Sequence, residues 1–314
     1  MSTISIGRTN DSWQLAILKH WPEPLAASGL FLNLATLGGL LLYQRVRGQQ
    51  RLLLPTLSAQ ILLTLPGRLF GYRVIWLINN QTIPKILKSL VKLLARPTKY
   101  IVAPNQAAEV EYLKIGIPSE KIKTIYPPCR RPEKIIFPYI EPFTLSCDSI
   151  VEIANGLGTL LRALGLARDI LGNIKLIIAG PIHNRAQIEW SAKTLGLGGS
   201  LQFSPGNSDL WLAECHAYIL PTADQTIVPI SLLQAMALGR AIITTDKLEH
   251  KEFVEHEKRA LLVSSGQAEE LSQAIIRLAR DAQLLASLGE ENYRFASEHF
   301  SSDAFVEKIR GLLS

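Results

Sequence analysis

The run Tyr218-Ile-Leu-Pro-Thr-Ala-Asp-Gln-Thr-Ile-Val-Pro-Ile-Ser-Leu-Leu-Gln-Ala-Met-Ala-Leu-Gly-Arg-Ala-Ile-Ile-Thr-Thr245 decides the fold. The apolar stretch from His216 to Leu220 is halted by Pro221 and reads as a buried strand. Residues 222–229 have turn composition and end in a proline, a common first residue of a helix. Leu232, Leu233, Met236 and Ala237 then recur at helical spacing, Gly239 closes the helix, and Ala241–Thr245 is the next strand. A helix that starts on a loop at the carboxyl end of a parallel strand aims unpaired N–H groups at the crevice above the sheet. Open α/β folds bind phosphorylated ligands there. An ordinary βαβ crossover has the same pattern, so the run alone leaves both readings open.

The same alternation extends in both directions. Upstream come strands at Phe143–Cys147, Ile174–Ala179 and Leu201–Phe203, with helices at Gly158–Asp169, Ala186–Leu195 and Leu210–Cys215 between and after them. Downstream come a helical turn near Lys251–His256, an edge strand at Ala260–Val263 and an amphipathic helix over Glu269–Leu288. The first half repeats the rhythm, with strands at Gln14–Lys19, Arg51–Leu54, Tyr72–Leu77, Tyr100–Ala103 and Thr124–Tyr126. This is the order of a parallel sheet with helices on both faces, built twice. Pro127-Pro128-Cys129-Arg130-Arg131-Pro132 has linker composition, and the expected domains are 1–137 and 138–314.

A chain of 314 residues with 47% hydrophobic and 19% charged residues can hold two globular cores. Cys129, Cys147 and Cys215 are far apart, show no metal spacing, and suit reduced thiols of a cytosolic protein. The net charge of +6 is uneven: residues 1–100 carry 12 Lys/Arg against 2 acids, and residues 101–314 carry 21 against 25. One half therefore faces something anionic. No nucleic-acid module or aromatic interleaving accompanies the basic residues, so a membrane surface or a phosphate-bearing acceptor fits better than nucleic acid. The mean hydropathy of +0.17 points the same way.

Within this half, Pro84–Arg96 combines an apolar stripe (Ile86, Leu87, Leu90, Leu93, Leu94) with Lys85, Lys88, Lys92, Arg96 and Lys99 along one side. No acid occurs between residues 24 and 108. Such a helix either lies on an anionic bilayer, gaining about 1 kcal/mol per basic residue near the surface, or is a solvated face. Residues 24–44 lack charge and are long enough for a span, but Asn33, Thr36 and Gly38-Gly39 favour a buried helix.

Several pieces in order carry a family resemblance: Ile101-Val-Ala-Pro-Asn, Leu113-Lys-Ile-Gly-Ile-Pro-Ser-Glu-Lys-Ile, Ile125-Tyr-Pro-Pro-Cys, Ile177-Ile-Ala-Gly, Ala217-Tyr-Ile-Leu-Pro-Thr, Leu233-Gln-Ala-Met-Ala-Leu-Gly and Glu252-Phe-Val-Glu-His-Glu. The chain resembles glycosyltransferase family 4 of the GT-B superfamily, closely from about Tyr100 onward. The resemblance implies two Rossmann-like domains across a cleft, the second holding a nucleotide-sugar and the first presenting a lipid-linked or glycan acceptor. It implies sugar transfer with retention, no bound metal and no cofactor, at the cytoplasmic face of a membrane. The absence of an Asp-x-Asp pair and of a histidine cluster agrees with the lack of metal.

Carried over residue by residue, the resemblance places donor binding at Asn155, Gly180, Arg185, Thr226, Ile230, Ser231, Leu232 and Gln234, and the reacting centre near His20 and Asn79. The basic residues Lys85, Lys88, Lys92 and Arg96 are the expected membrane-facing set. The chain departs from the family where the departing diphosphate needs stabilisation. Ile150 and Asn155 stand for an Arg and a Lys, and Thr226 and Gln234 stand for two Glu residues. Arg162, Arg185 and Arg240 are the nearby cations that remain. The departures keep a second reading open, a catalytically inactive homologue that binds a glycan or a partner transferase. A dinucleotide site at Gly156-Leu-Gly158 lacks the third glycine and the following acid.

Overall fold

Short apolar runs bounded by proline and glycine form the strands of two sheets. The computed structural model describes residues 4–6, 13–17, 50–78, 83–135, 141–148, 153–180, 182, 184–204, 208–222 and 228–313. Contacts group Met1–Tyr126 with Val306–Ser314 as one unit and Pro127–Phe305 as another. His20, Asn79, Thr226, Ile150 and the stretch 24–44 lie outside the described residues.

The first unit holds β1 (Ile4–Ile6), β2 (Trp13–Ile17), β3 (Arg51–Leu54), β4 (Arg73–Leu77), β5 (Tyr100–Ala103) and β6 (Ile122–Thr124) in that spatial order. β1 runs antiparallel to β2, an edge pair that the sequence reading lacks; the other pairs are parallel. β6 pairs Ile122 with Ile101 and ends at Thr124, where the sequence places the start of the strand Thr124–Tyr126. Buried Ile122 anchors it, and Pro127 and Pro128 cannot donate to a ladder.

Helix α1 (Leu57–Leu69) starts at Thr56, whose Oγ1 accepts the Ala59 N–H at 3.2 Å. Its buried Gln60 donates from Nε2 to the carbonyls of Leu54 (3.2 Å) and Leu77 (3.0 Å), tying together the carboxyl ends of β3 and β4. Helix α2 (Lys88–Ala95) follows a 3₁₀ turn at Lys85–Leu87. Only Val91, Leu94 and Ala95 of α2 enter the core, while Ile86 and Leu93 are 88% and 56% exposed. The segment is therefore apolar on two sides, not on the single stripe read from the sequence. Helix α3 (Gln106–Lys114) is capped by Asn105, whose Oδ1 accepts the Ala108 N–H at 2.8 Å.

The second unit is a six-stranded parallel sheet. Its strands are β7 (Phe143–Asp148), β8 (Ile174–Ala179), β9 (Leu201–Ser204), β10 (Ala217–Leu220), β11 (Ala241–Thr245) and β12 (Leu261–Val263), in the order β12-β11-β10-β7-β8-β9. Leu145, the strand residues 176–179 and the whole of β10 are fully buried, which explains their unbroken apolar runs. The connecting helices are α4 (Leu157–Leu171), α5 (Arg185–Thr194), α6 (Ser208–Ala213), α7 (Ile230–Ala237) and α8 (Leu248–Lys251). The long helix expected over Glu269–Leu288 is two, α9 (Ala268–Arg280) and α10 (Ala282–His299). Asp281 breaks it, because its carboxylate accepts the Leu284 N–H at 2.9 Å and caps a new helix. Helix α11 (Ser302–Leu313) crosses from one unit's residues into the other's.

The division at Tyr126/Pro127 precedes the 137/138 junction expected from the sequence. The linker-like segment is fastened to the second unit: Gln234 Nε2 donates to the Arg130 carbonyl at 2.7 Å, and the Tyr293 hydroxyl reaches the carbonyls of Pro132 and Glu133. A proline-rich composition marks the turn of the chain, but these side-chain contacts decide which core it joins.

His250 on α8 is completely buried, and burial lowers its pKa below the ordinary 6.5. Its Nδ1 lies 3.0 Å from the Thr245 carbonyl and 2.8 Å from Thr244 Oγ1, which itself donates to the Leu220 carbonyl. A carbonyl can only accept, so Nδ1 carries the proton; Nε2 is buried with no partner among the described residues, and burial favours the neutral ring. An unfolded histidine takes up a proton near pH 6.5 and the folded one only at lower pH, so stability holds above about pH 6.5 and falls below it. Melting curves between about pH 7.5 and 5 are expected to decline less for His250→Asn than for the wild type. Parallel curves would remove His250 as the source.

Candidate functional site

The chain leaves β7 for β8 and β9 on one side, then returns to β10 on the other side of β7. The crevice between β7 and β10 is thus a topological switch point, and ligands of open α/β sheets bind at the carboxyl ends of such strands. Helix α4 starts after β7 and helix α7 after β10, so the positive ends of two helix dipoles flank this point.

Gly156, immediately before α4, has φ +107°, and a Cβ there would lie 1.7 Å from the Pro221 carbonyl oxygen. Only glycine lets the start of α4 rest on the exit of β10. Pro221 leads into Thr222, which is completely buried; its carbonyl accepts from Thr245 Oγ1 at 2.9 Å, and its own hydroxyl has no partner among the described residues.

Three side chains from three elements meet at the crevice. Asp148 ends β7, Tyr218 lies in β10, and Ser231 is the second residue of α7. The Tyr218 hydroxyl donates to Asp148 Oδ2 at 2.9 Å, and the Ser231 hydroxyl donates to the same oxygen in a short contact. The two hydroxyl oxygens are 3.1 Å apart. Burial raises the Asp148 pKa above the usual 3.8, against the lowering effect of the bonds from Ser231 and Tyr218, and among the described residues no basic side chain contributes. Burial and the Asp148 charge hold the Tyr218 hydroxyl well above its usual value, so it stays neutral. The arrangement can present a carboxyl group and two hydroxyls to a ligand. Among the described residues it presents no cation.

The described donor residues expected from the sequence take different places in the second unit. Ser231 is in the network; Ile230 is 58% exposed at the start of α7; Leu232 is in the core. Gln234 is buried, with its amide nitrogen committed to the Arg130 carbonyl. Asn155 ends the 3₁₀ turn Ile153–Asn155 before Gly156, and Gly180 directly follows β8 with φ +101°. Arg185 pairs with Glu189 at 2.7 Å and stacks over Phe203 of β9 at 4.7 Å. With strands about 4.8 Å apart, β9 lies roughly 10 Å from β7. Arg162 is exposed, 3.5 Å from the Thr159 hydroxyl, and Arg240 is buried after α7. Lys85, Lys88, Lys92 and Arg96 belong to the first unit.

The sequence reading looked in the β7 loop for a missing cation and passed over Asp148 and Tyr218. An acid closing an apolar strand, and one hydroxyl-bearing aromatic in an otherwise aliphatic strand, were the available signals. The close approach at Gly156 yields a direct test of the crevice. Gly156→Ala is expected to lose at least about 1–3 kcal/mol from backbone strain alone, read as a lower unfolding midpoint. An unchanged midpoint would show that α4 does not need to rest on Pro221.

Residues 142–295 match the family described as glycosyl transferases group 1. An exopolysaccharide phosphotransferase of Streptomyces coelicolor is 33% identical over 124 residues, which cover 38% of this chain and 13% of that protein. The chain thus matches only a small part of that relative's length. Among solved structures, Anabaena HepE in complex with UDP and glucose superimposes with a TM-score of 0.74 at 16% identity, over 93% of this chain and 84% of that one. A glycosyltransferase from Rickettsia africae gives 0.71 at 15% identity, over 93% and 83%. At these identities the likeness is one of fold. The match to the glycosyl transferases group 1 family thus covers residues 142–295, just under half of the chain, and the fold of the chain is GT-B.

Proposed function

We propose that the protein is a retaining glycosyltransferase that moves a sugar from a nucleotide-sugar to a membrane-linked or cell-envelope glycan, without a bound metal. The observation that carries this reading is the switch-point crevice between β7 and β10, flanked by the starts of α4 and α7, inside the segment that matches the family. Two helix N-termini offer partial positive charge where the departing diphosphate would develop negative charge. The UDP and glucose bound by the Anabaena neighbour make a uridine nucleotide-sugar the first donor to examine. In this reading Ser231 and the backbone at Ile230–Leu232 face the donor, with Asn155, Gly180, Arg185, Thr226 and Gln234 around it. His20 and Asn79 serve the reacting centre.

The first unit supports a peripheral place at the inner face of a membrane. Lys85, Lys88, Lys92 and Arg96 accompany the exposed Ile86, Leu90 and Leu93, and the neighbouring α1 exposes Leu65 and Leu69. Apolar side chains within a basic surface fit an anionic bilayer. No described helix is long and apolar enough to cross a membrane.

A second reading has its own support. A carboxylic side chain occupies the crevice, Pro229 at the start of α7 has no N–H, and Arg185 is paired with Glu189. A catalytically inactive relative that binds a glycan or a partner transferase would have no need of a cationic clamp.

Titration with UDP-, GDP- and ADP-sugars separates the two. A donor at 100 times its dissociation constant is expected to stabilise the protein by about 2.7 kcal/mol, read as a rise in melting temperature. No rise with any donor would leave the binding-subunit reading. For the membrane, flotation with vesicles containing anionic lipid is expected to capture the wild type and to lose the Lys85/Lys88/Lys92→Glu variant. Equal capture of both would take α2 out of the contact.

A further inference from the structure

We propose that Asp148 sets the charge preference of the switch-point crevice, disfavouring a nucleoside diphosphate when ionised and donating a hydrogen bond to it when protonated. The inference rests on the nucleotide-sugar reading and says how this chain departs from a simple anion site.

Tyr218 from β10 and Ser231 from α7 both donate to one oxygen of Asp148, so both hydroxyl protons are turned inward. With the carboxyl ionised, neither hydroxyl has a proton left for a ligand, and the 3.1 Å contact between them holds none. The charge of Asp148 occupies the place where the start of α7 would otherwise favour an incoming anion. A diphosphate would then meet a like charge in a partly buried setting, where screening by water is weak. With the carboxyl protonated, the group has one proton to donate and demands less of its partners. Ser231, on the first turn of α7, is then free to turn its hydroxyl outward.

Among the described residues, no other group on the surrounding elements compensates. From its own strand Asp148 has the buried Cys147 thiol as neighbour, which burial and the Asp148 charge keep protonated. β10 contributes Tyr218 and α7 contributes Ser231. On β8 the paired residue is Ala179, and α4 starts with Gly156 and Leu157. Among the described residues, no lysine, arginine or histidine acts on the carboxyl group. Burial favours its neutral form, so protonation is accessible at a milder pH than for a surface aspartate.

The test measures binding of UDP-glucose, whose diphosphate is esterified at both ends and keeps its charge near neutral pH, between about pH 5 and 8. Wild-type affinity is expected to rise as pH falls, by up to about tenfold per pH unit where one proton enters with the ligand. Asp148→Asn keeps an acceptor for Ser231 and Tyr218 and is expected to bind at least about tenfold tighter than wild type at pH 7.5, with a flat profile. Ser231→Ala removes a bond to the ionised form and is expected to move the wild-type rise to higher pH, a shift that simple structural damage does not produce. Binding by wild type and Asp148→Asn with the same affinity and pH profile overturns the inference and leaves the nucleotide-sugar reading intact. Failure of all three folded proteins to bind at any pH overturns both.

Discussion

The second unit depends on β7 being enclosed on every side. It has β8 on one edge and β10 on the other, and its residues 144–147 are buried whichever face they point to. A parallel strand so enclosed must be reached by crossovers, and here they leave in opposite directions. The crossovers that follow β7 and β10 therefore run toward opposite edges of the sheet. Gly156 against the Pro221 carbonyl then sets how closely the start of α4 approaches the crevice between them. The crevice follows from topology and one close contact, before any particular side chain is considered.

What enters the crevice is decided by charge. Most buried titratable groups of this unit are held neutral: burial pushes the Cys215 thiol up to about 11, keeps Cys147 protonated, and keeps His250 uncharged. Asp148 differs because two hydroxyls stabilise its ionised form while burial opposes it. A group poised in this way is a poor contributor to stability and a sensitive determinant of which ligand is accepted. The first unit shows the opposite design, with basic side chains and apolar side chains exposed together on α2 and the turn before it. One unit thus exposes a basic and partly apolar surface, and the other holds a small site whose own charge must be reckoned with.

The strands were legible because parallel strands buried on both faces are written as uninterrupted apolar runs; β3, β5, β8 and β11 agree with the sequence reading to the residue. Boundaries went astray where a local side chain overrode periodicity. Asp281 capped a new helix inside one amphipathic pattern, and Ile122 drew β6 two residues toward the amino end. The antiparallel β1 was hidden because three residues carry too little pattern to be distinguished from a polar terminus. The crevice itself was half legible: the strand at Tyr218, the helix from Ile230 and the strand ending at Thr245 could be read, but the side chains that meet beside them could not.

By itself, the sequence determined the α/β alternation, the two-unit organisation, the family that residues 142–295 match, and the uneven distribution of charge. Tertiary structure alone decided that Asp148, Tyr218 and Ser231 share one site, although Asp148 is 70 and 83 residues from the other two. It also decided that Gln234 holds the Arg130 carbonyl and that Arg185 is paired with Glu189. The physical reason is the same in each case. Periodicity reports which face a residue occupies within its own element, whereas a hydrogen bond between elements depends on strand order, and strand order is set by packing the whole sheet.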